Sequence, residues 1–302
     1  MSYILFVLSK ICAIIKVVAV KNSGNIASGA KNGTKISLYR SLGCILVGTV
    51  VCAFSGFEPM TERGVWISIL SGISNAALLF FWILAATSAP LYFVELFCMI
   101  GGVVLPLLIS TALTGETVSV LGWIGSAMLL AAAFLLSKRG GGRINAKSFI
   151  IAIMAGLGNM GSVMTQKLYN TYSGGTVADF QLATYAVSAA VLALLLLAFY
   201  VRSRATARVS SDAAETVNGS ALRGKVLLFV TIAIVMMYIS QFLSTYASAS
   251  IPSAVFYPLS YVISMPLIYF CDVVIYKERV TAMGIVGIIL VTLAGVLINL
   301  KL

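Results

Sequence analysis

Glu95 is the residue in this chain best placed to do chemistry. It stands in an otherwise apolar run, and at helical spacing Tyr92, Glu95, Met99, Gly102 and Pro106 share one face. That face is polar, small or kinked, so it belongs inside a helix bundle. An ionisable group at the centre of a membrane helix costs at least ~2.5–3.5 kcal/mol, which makes such groups paired or functional. A carboxylate there can recognise a cation or exchange a proton. Trp82, Tyr238, Tyr257 and Tyr261 could add cation–π contacts to an ammonium head. Lys10, midway along the first apolar run, is the second charged candidate. Paired with Glu95, it would suit a zwitterion such as an amino acid. Asn75 and Trp82 share a face of the third run, Asn159 lies in the sixth, and Tyr238, Gln241 and Thr245 lie in the eighth. Lys10, Asn75, Trp82, Tyr92, Glu95, Asn159, Tyr238, Gln241, Tyr257 and Tyr261 are therefore the candidate substrate-binding residues. The plainer role for the neutral ones is interhelical hydrogen bonding, worth ~0.6 kcal/mol per pair.

The same inventory argues against an enzyme. The chain has no histidine, which removes the commonest general base and metal ligand. Cys12, Cys44, Cys52, Cys98 and Cys271 lie in or beside apolar runs without CxxC spacing, so they read as small buried hydrophobes. There is no HExxH and no GxxxxGK[ST], so neither a zinc hydrolase nor an ATPase is written here. No metal or cofactor is expected.

The elements that must hold these residues follow from composition. Hydrophobic residues make up 60% of 302 positions and charged residues 10%, against about a quarter charged in soluble domains. One soluble core could not hide that much apolar surface. A bilayer core of about 30 Å needs roughly 20 apolar residues per helix. Ten runs qualify, near 2–20, 37–56, 65–86, 90–112, 119–137, 147–170, 177–200, 224–247, 252–271 and 281–299. Backbone polar groups cannot go unsatisfied in hydrocarbon, so the runs must be helices. Tyr3 to Leu8 reads as the first helix rather than a cleavable leader. Short connections at Thr87–Ala89 and Ser248–Ile251 predict tight hairpins, whereas Lys21–Lys35 and Arg202–Arg223 read as solvated loops.

The chain also repeats itself. At a fixed offset of 162, Ser88 meets Ser250, Pro90 meets Pro252, Glu116 meets Glu278, Gly122 meets Gly284 and Gly125 meets Gly287. This defines two five-helix halves, 1–140 and 141–302. An odd number of crossings inverts the second half, and inverted repeats place a solute site near the midplane between them. The offset maps Glu95 onto Tyr257 and Met99 onto Tyr261. Pro258 and Pro266 should interrupt the ninth helix as Pro106 does the fourth. Glu116 and Glu278 read as carboxylates favouring helix starts.

These features together resemble the EamA-like branch of the drug/metabolite transporter superfamily. The likeness rests on the Glu-then-Gly endings of both halves (Gly115-Glu116-Thr117-Val118-Ser119 through Gly125, Lys277-Glu278-Arg279-Val280-Thr281 through Gly287). It rests also on Lys16 and Lys167 near the ends of the opening helices and on Arg40 early in the second. The family's frequent Trp-Gly in helix one is replaced by Leu8-Ser9. The resemblance implies ten helices in two halves and transport of a metabolite, amino acid or drug-like solute; with no ATPase motif in the chain, gradient-driven transport of an amine, amino acid or related metabolite across the cytoplasmic membrane is the expectation. Expected partners are a small-molecule substrate, the lipid bilayer and a coupled proton or other ion, in a monomer or homodimer. A non-transporting structural or receptor-like subunit is the alternative.

The net charge of +11 does not point to nucleic acid, because its placement follows topology. Fifteen Lys and Arg residues fall in or beside odd-numbered connections, against Arg63, Lys167 and Lys301 on the other side. The positive-inside tendency then puts both termini outside, whereas the resemblance puts them inside.

Overall fold

The apolar runs are helical where the structure describes them, because a helix satisfies every backbone donor and acceptor within itself. The computed structural model describes residues 2–26, 29–88, 91–104, 106–109, 119–137, 146–173, 175–207, 220–277 and 282–299. Among them the helices are α1 (Ser2–Ile26), α2 (Ala30–Ser55), α3 (Glu62–Ser88), α4 (Leu91–Met99), α5 (Val120–Ser137), α6 (Ala146–Tyr172), α7 (Val177–Ala207), α8 (Ser220–Ser248), α9 (Ser253–Val274) and α10 (Ala282–Asn299). Seven of these are long and apolar enough to cross a membrane, namely α1, α2, α3, α6, α7, α8 and α9. Shorter apolar helices lie within Phe93–Ile109, Val120–Ala132 and Ile285–Leu297. The chain is an all-helical, multi-pass membrane protein.

Two expectations change. Lys21–Lys35 is not a loop: α1 runs to Ile26 and α2 begins at Ala30. The polar residues there are absorbed by packing. A Cβ on Gly33 would stand 3.1 Å from Ile83, so α2 and α3 touch closely at this level. Nor do the prolines interrupt α9, which continues through both Pro258 and Pro266. The fourth helix does break its pattern. A π-helical turn, Ile100–Val104, follows α4 just before Pro106, which lacks the donor an α-helix would need there. Of the second long connection, α7 takes residues up to Ala207 and α8 starts at Ser220. Pro90, Glu116 and Glu278 lie outside the described residues.

Helices distant in sequence pack side by side. The most extensive contacts pair α3 with α6, α1 with α8, α5 with α10 and α2 with α7. Small residues permit them. A Cβ on Gly158 of α6 would come within 2.5 Å of the Leu78 nitrogen of α3. Large apolar side chains such as Phe54, Leu46 and Leu194 point outward, as they must in lipid.

Helix ends meet as strict up-and-down alternation requires. At one end, Lys21 lies 3.9 Å over the Tyr276 ring, Tyr276 donates to Asn22 at 3.3 Å, and Lys31 lies 4.0 Å over Tyr200. These join the ends of α1, α2, α7 and α9. At the other end, Thr61 donates to the Ser173 carbonyl and Asp179 accepts from the Glu58 N–H. Asn170 donates there to the Thr245 carbonyl at 2.6 Å. Those contacts join the connections α2–α3 and α6–α7 to the end of α8.

Candidate functional site

The site is built where the polar faces of seven helices converge. Lys10, Lys16, Asn75, Trp82, Glu95, Asn159, Gln241 and Tyr261 all border one cavity of about 140 Å³. That is close to the roughly 150 Å³ known to hold a benzene-sized molecule in a protein core. The cavity lies among α1, α2, α3, α4, α6, α8 and α9.

Glu95 is 8% exposed and accepts a hydrogen bond from Trp82 Nε1 at 2.9 Å. The indole N–H satisfies one carboxylate oxygen. Lys16 lies near enough for its charge to interact with that of Glu95. Lys10 does not pair with Glu95. Its ammonium sits 4.6 Å over the Phe6 ring and 6.0 Å from that of Phe256.

A second polar knot closes the α4–α6–α9 side. Asn159 Nδ2 donates to the Cys98 carbonyl at 2.8 Å and to the Tyr261 hydroxyl at 2.7 Å, and that hydroxyl donates to the same carbonyl at 2.7 Å. The carbonyl stands at the entry to the π-helical turn, where the regular ladder is disturbed. Gly102 follows, with a Cβ position only 2.5 Å from Asn159 Nδ2. A third group links α6 to α8, with Gln166 Nε2 donating to Gln241 Oε1 at 2.6 Å.

The remaining candidates lie elsewhere. Tyr238 turns from the cavity and packs beside Tyr185 and Phe242, with centroids at 6.2 and 6.1 Å. Tyr257 is fully buried in a cluster with Phe6 and Phe256. The Tyr92 side chain is outside what the structure describes. Met99 packs with Leu129, Tyr261 and Met265 instead of facing the cavity.

Several residues beyond the sequence candidates line the cavity. Arg40, which the charge pattern along the chain groups with the loop cations, is 3% exposed and borders the cavity. Lys16 stood out only through the family likeness. Gln166, Ser240, Ser244 and Ser260 also line the space. The periodicity of α8 held a signal, since Ser240, Gln241 and Ser244 share a face. Lys167 serves differently, donating to the carbonyls of Ser248 and Ile251 at 3.1 and 3.0 Å. It satisfies the backbone where α8 turns into α9. No group of three or more metal-ligating side chains occurs among the described residues.

No known family profile matches the chain, and no curated protein does. A solved structure described only as "Crystal structure of protein" aligns over 97% of this chain and 98% of its own, at a TM-score of 0.53 and 17% identity. At that identity the likeness concerns the fold alone. Fold and site together define a multi-pass helical membrane protein with a polar, charged cavity within its bundle.

Proposed function

We propose that this protein is a secondary transporter of a small organic solute, working by alternating access between two inverted five-helix halves. The observation that carries the reading is the cavity. A space lined by Lys, Arg, Glu, Asn and Gln inside a lipid-facing bundle is costly to build unless something polar occupies it. Its walls come from α1–α4 and from α6, α8 and α9, as a site between halves requires.

The helix pairing supports the inverted repeat. Exchanging each helix with the one five places along turns the α1–α8 contact into α6–α3, the two most extensive in the bundle. The same exchange returns α2–α7 and α5–α10 to themselves. Ten spans and an EamA-like, drug/metabolite-transporter-type architecture fit this pattern. The disturbed helix before Pro106 supplies a deformable element beside Glu95.

Counterflow in proteoliposomes holding the purified protein alone is the test. Liposomes preloaded with an unlabelled solute should accumulate its labelled form, and Trp82→Ala should reduce that exchange at least tenfold. If no member of a panel of amines, amino acids, carboxylates, phosphate esters and nucleosides exchanges faster than in empty liposomes, the protein is a structural or receptor-like subunit.

A further inference from the structure

We infer that the transported solute is a small organic anion and that Arg40 is its principal contact. This rests on the carrier reading above and sets the sign of the charge it moves. The expectation from sequence was an amine or zwitterion held by Glu95. The structure gives the cavity three basic side chains, Lys10, Lys16 and Arg40, against one acidic side chain, Glu95. Glu95 is engaged by the Trp82 indole and by the field of Lys16, so little of its charge is left for a ligand cation.

Arg40 is the odd group. It lies ten residues into α2, about 15 Å along the helix from its start. Its guanidinium is permanently charged. Among the described residues its guanidinium donates from Nη2 to the Met237 sulfur at 3.2 Å, a weak acceptor, and its buried Nε has no partner. No carboxylate among the described residues stands within ion-pair distance of Arg40, Lys10 or Lys16. A buried charge without a counter-ion is destabilising unless a ligand supplies one. A carboxylate or phosphate oxygen in the cavity would do so, and guanidinium geometry suits either.

Two further features shape the solute. The volume of about 140 Å³ suits a small molecule of a few carbons rather than a large one. Gln166 is 3% exposed, and its Oε1 has no hydrogen-bond partner among the described residues. It can accept from a hydroxyl on the same molecule.

Counterflow with succinate, lactate, glycerol phosphate, glycine and ethanolamine tests the assignment. The expected result is exchange of at least one of the three anions, none of ethanolamine, and loss of about 30-fold or more in Arg40→Gln. Arg40→Lys should recover part of the rate, because charge returns without the planar fork. Lys10→Gln, remote from the weak Met237 contact, should weaken anion exchange if Arg40→Gln proves unstable in detergent. Exchange of ethanolamine or glycine without any anion overturns the anion assignment and leaves the carrier reading standing. Anion exchange unaffected in Arg40→Gln overturns the role of Arg40. No exchange of any probe, with the wider panel also silent, overturns both.

Discussion

A close approach that one methyl group can break lies at Gly101. This residue sits in the π-helical turn after α4, facing Gly156 of α6. A Cβ at Gly101 would collide with the Gly156 carbonyl oxygen, and would stand 2.6 Å from its carbonyl carbon and 3.1 Å from its Cα. All three atoms are backbone, so no rotamer can move aside. From the other face, a Cβ on Gly156 would lie 2.5 Å from the Phe97 carbonyl oxygen. Gly101→Ala must therefore push α4 and α6 apart. Overpacking costs typically ~1–3 kcal/mol, and a backbone clash belongs at the upper end. At roughly 2–4 °C per kcal/mol, the unfolding midpoint in detergent should fall by about 5–10 °C. The separation should also stretch the Asn159 bonds to the Cys98 carbonyl and to Tyr261, so solute exchange should fall as well. Gly224→Ala is the control, since a Cβ there meets nothing within 4 Å, and a helical alanine should hold or raise the midpoint. The double variant Gly101→Ala/Gly156→Ala should cost less than the sum, because one displacement relieves both clashes. A Gly101→Ala midpoint within 1 °C of the wild type would refute the close packing of α4 on α6.

Other perturbations separate the roles assigned to single side chains. Trp82→Phe keeps the ring but removes the donor to Glu95, and should lower stability by ~1–3 kcal/mol by thermal unfolding, since a buried carboxylate loses its bond. Tyr261→Phe deletes one bond to the Cys98 carbonyl and one from Asn159, for about 1 kcal/mol, and an unchanged midpoint would argue against that knot. Lys167→Met strips the Ser248 and Ile251 carbonyls of a charged donor and should loosen the α8–α9 turn by ~1–3 kcal/mol, seen as faster hydrogen exchange there. Glu95→Gln keeps the shape of the cavity while removing its acid, and transport that stays the same across a pH range would exclude Glu95 from coupling.

The sequence alone determined the helices. Hydrocarbon forbids unsatisfied backbone, so the apolar runs could take no other local form, and seven of them are helices long and apolar enough to cross a membrane. It also placed Glu95 correctly with respect to a polar interior, because a charge in such a run has few other destinations. Much of the cavity wall was readable for the same reason, from Trp82 and Asn75 on α3 to Tyr261 on α9.

Tertiary packing decided the rest. The Lys21–Lys35 stretch is polar enough to read as loop, yet glycine contacts and ring-stacked lysines hold it in α1 and α2. Tyr238 and Tyr257 lie on the right helices but face aromatic neighbours, because helix rotation is set by partners distant in the chain. Arg40 changed most. Along the chain it follows a run of basic residues and counts as a topology signal. In the bundle, α2 lies against α7 and α8, and that contact seats its charge among Met237, Cys44 and Tyr185 at the edge of the cavity. Composition fixes which segments enter lipid. Which charges those segments turn inward depends on how side chains interlock across the bundle, and no local pattern encodes that.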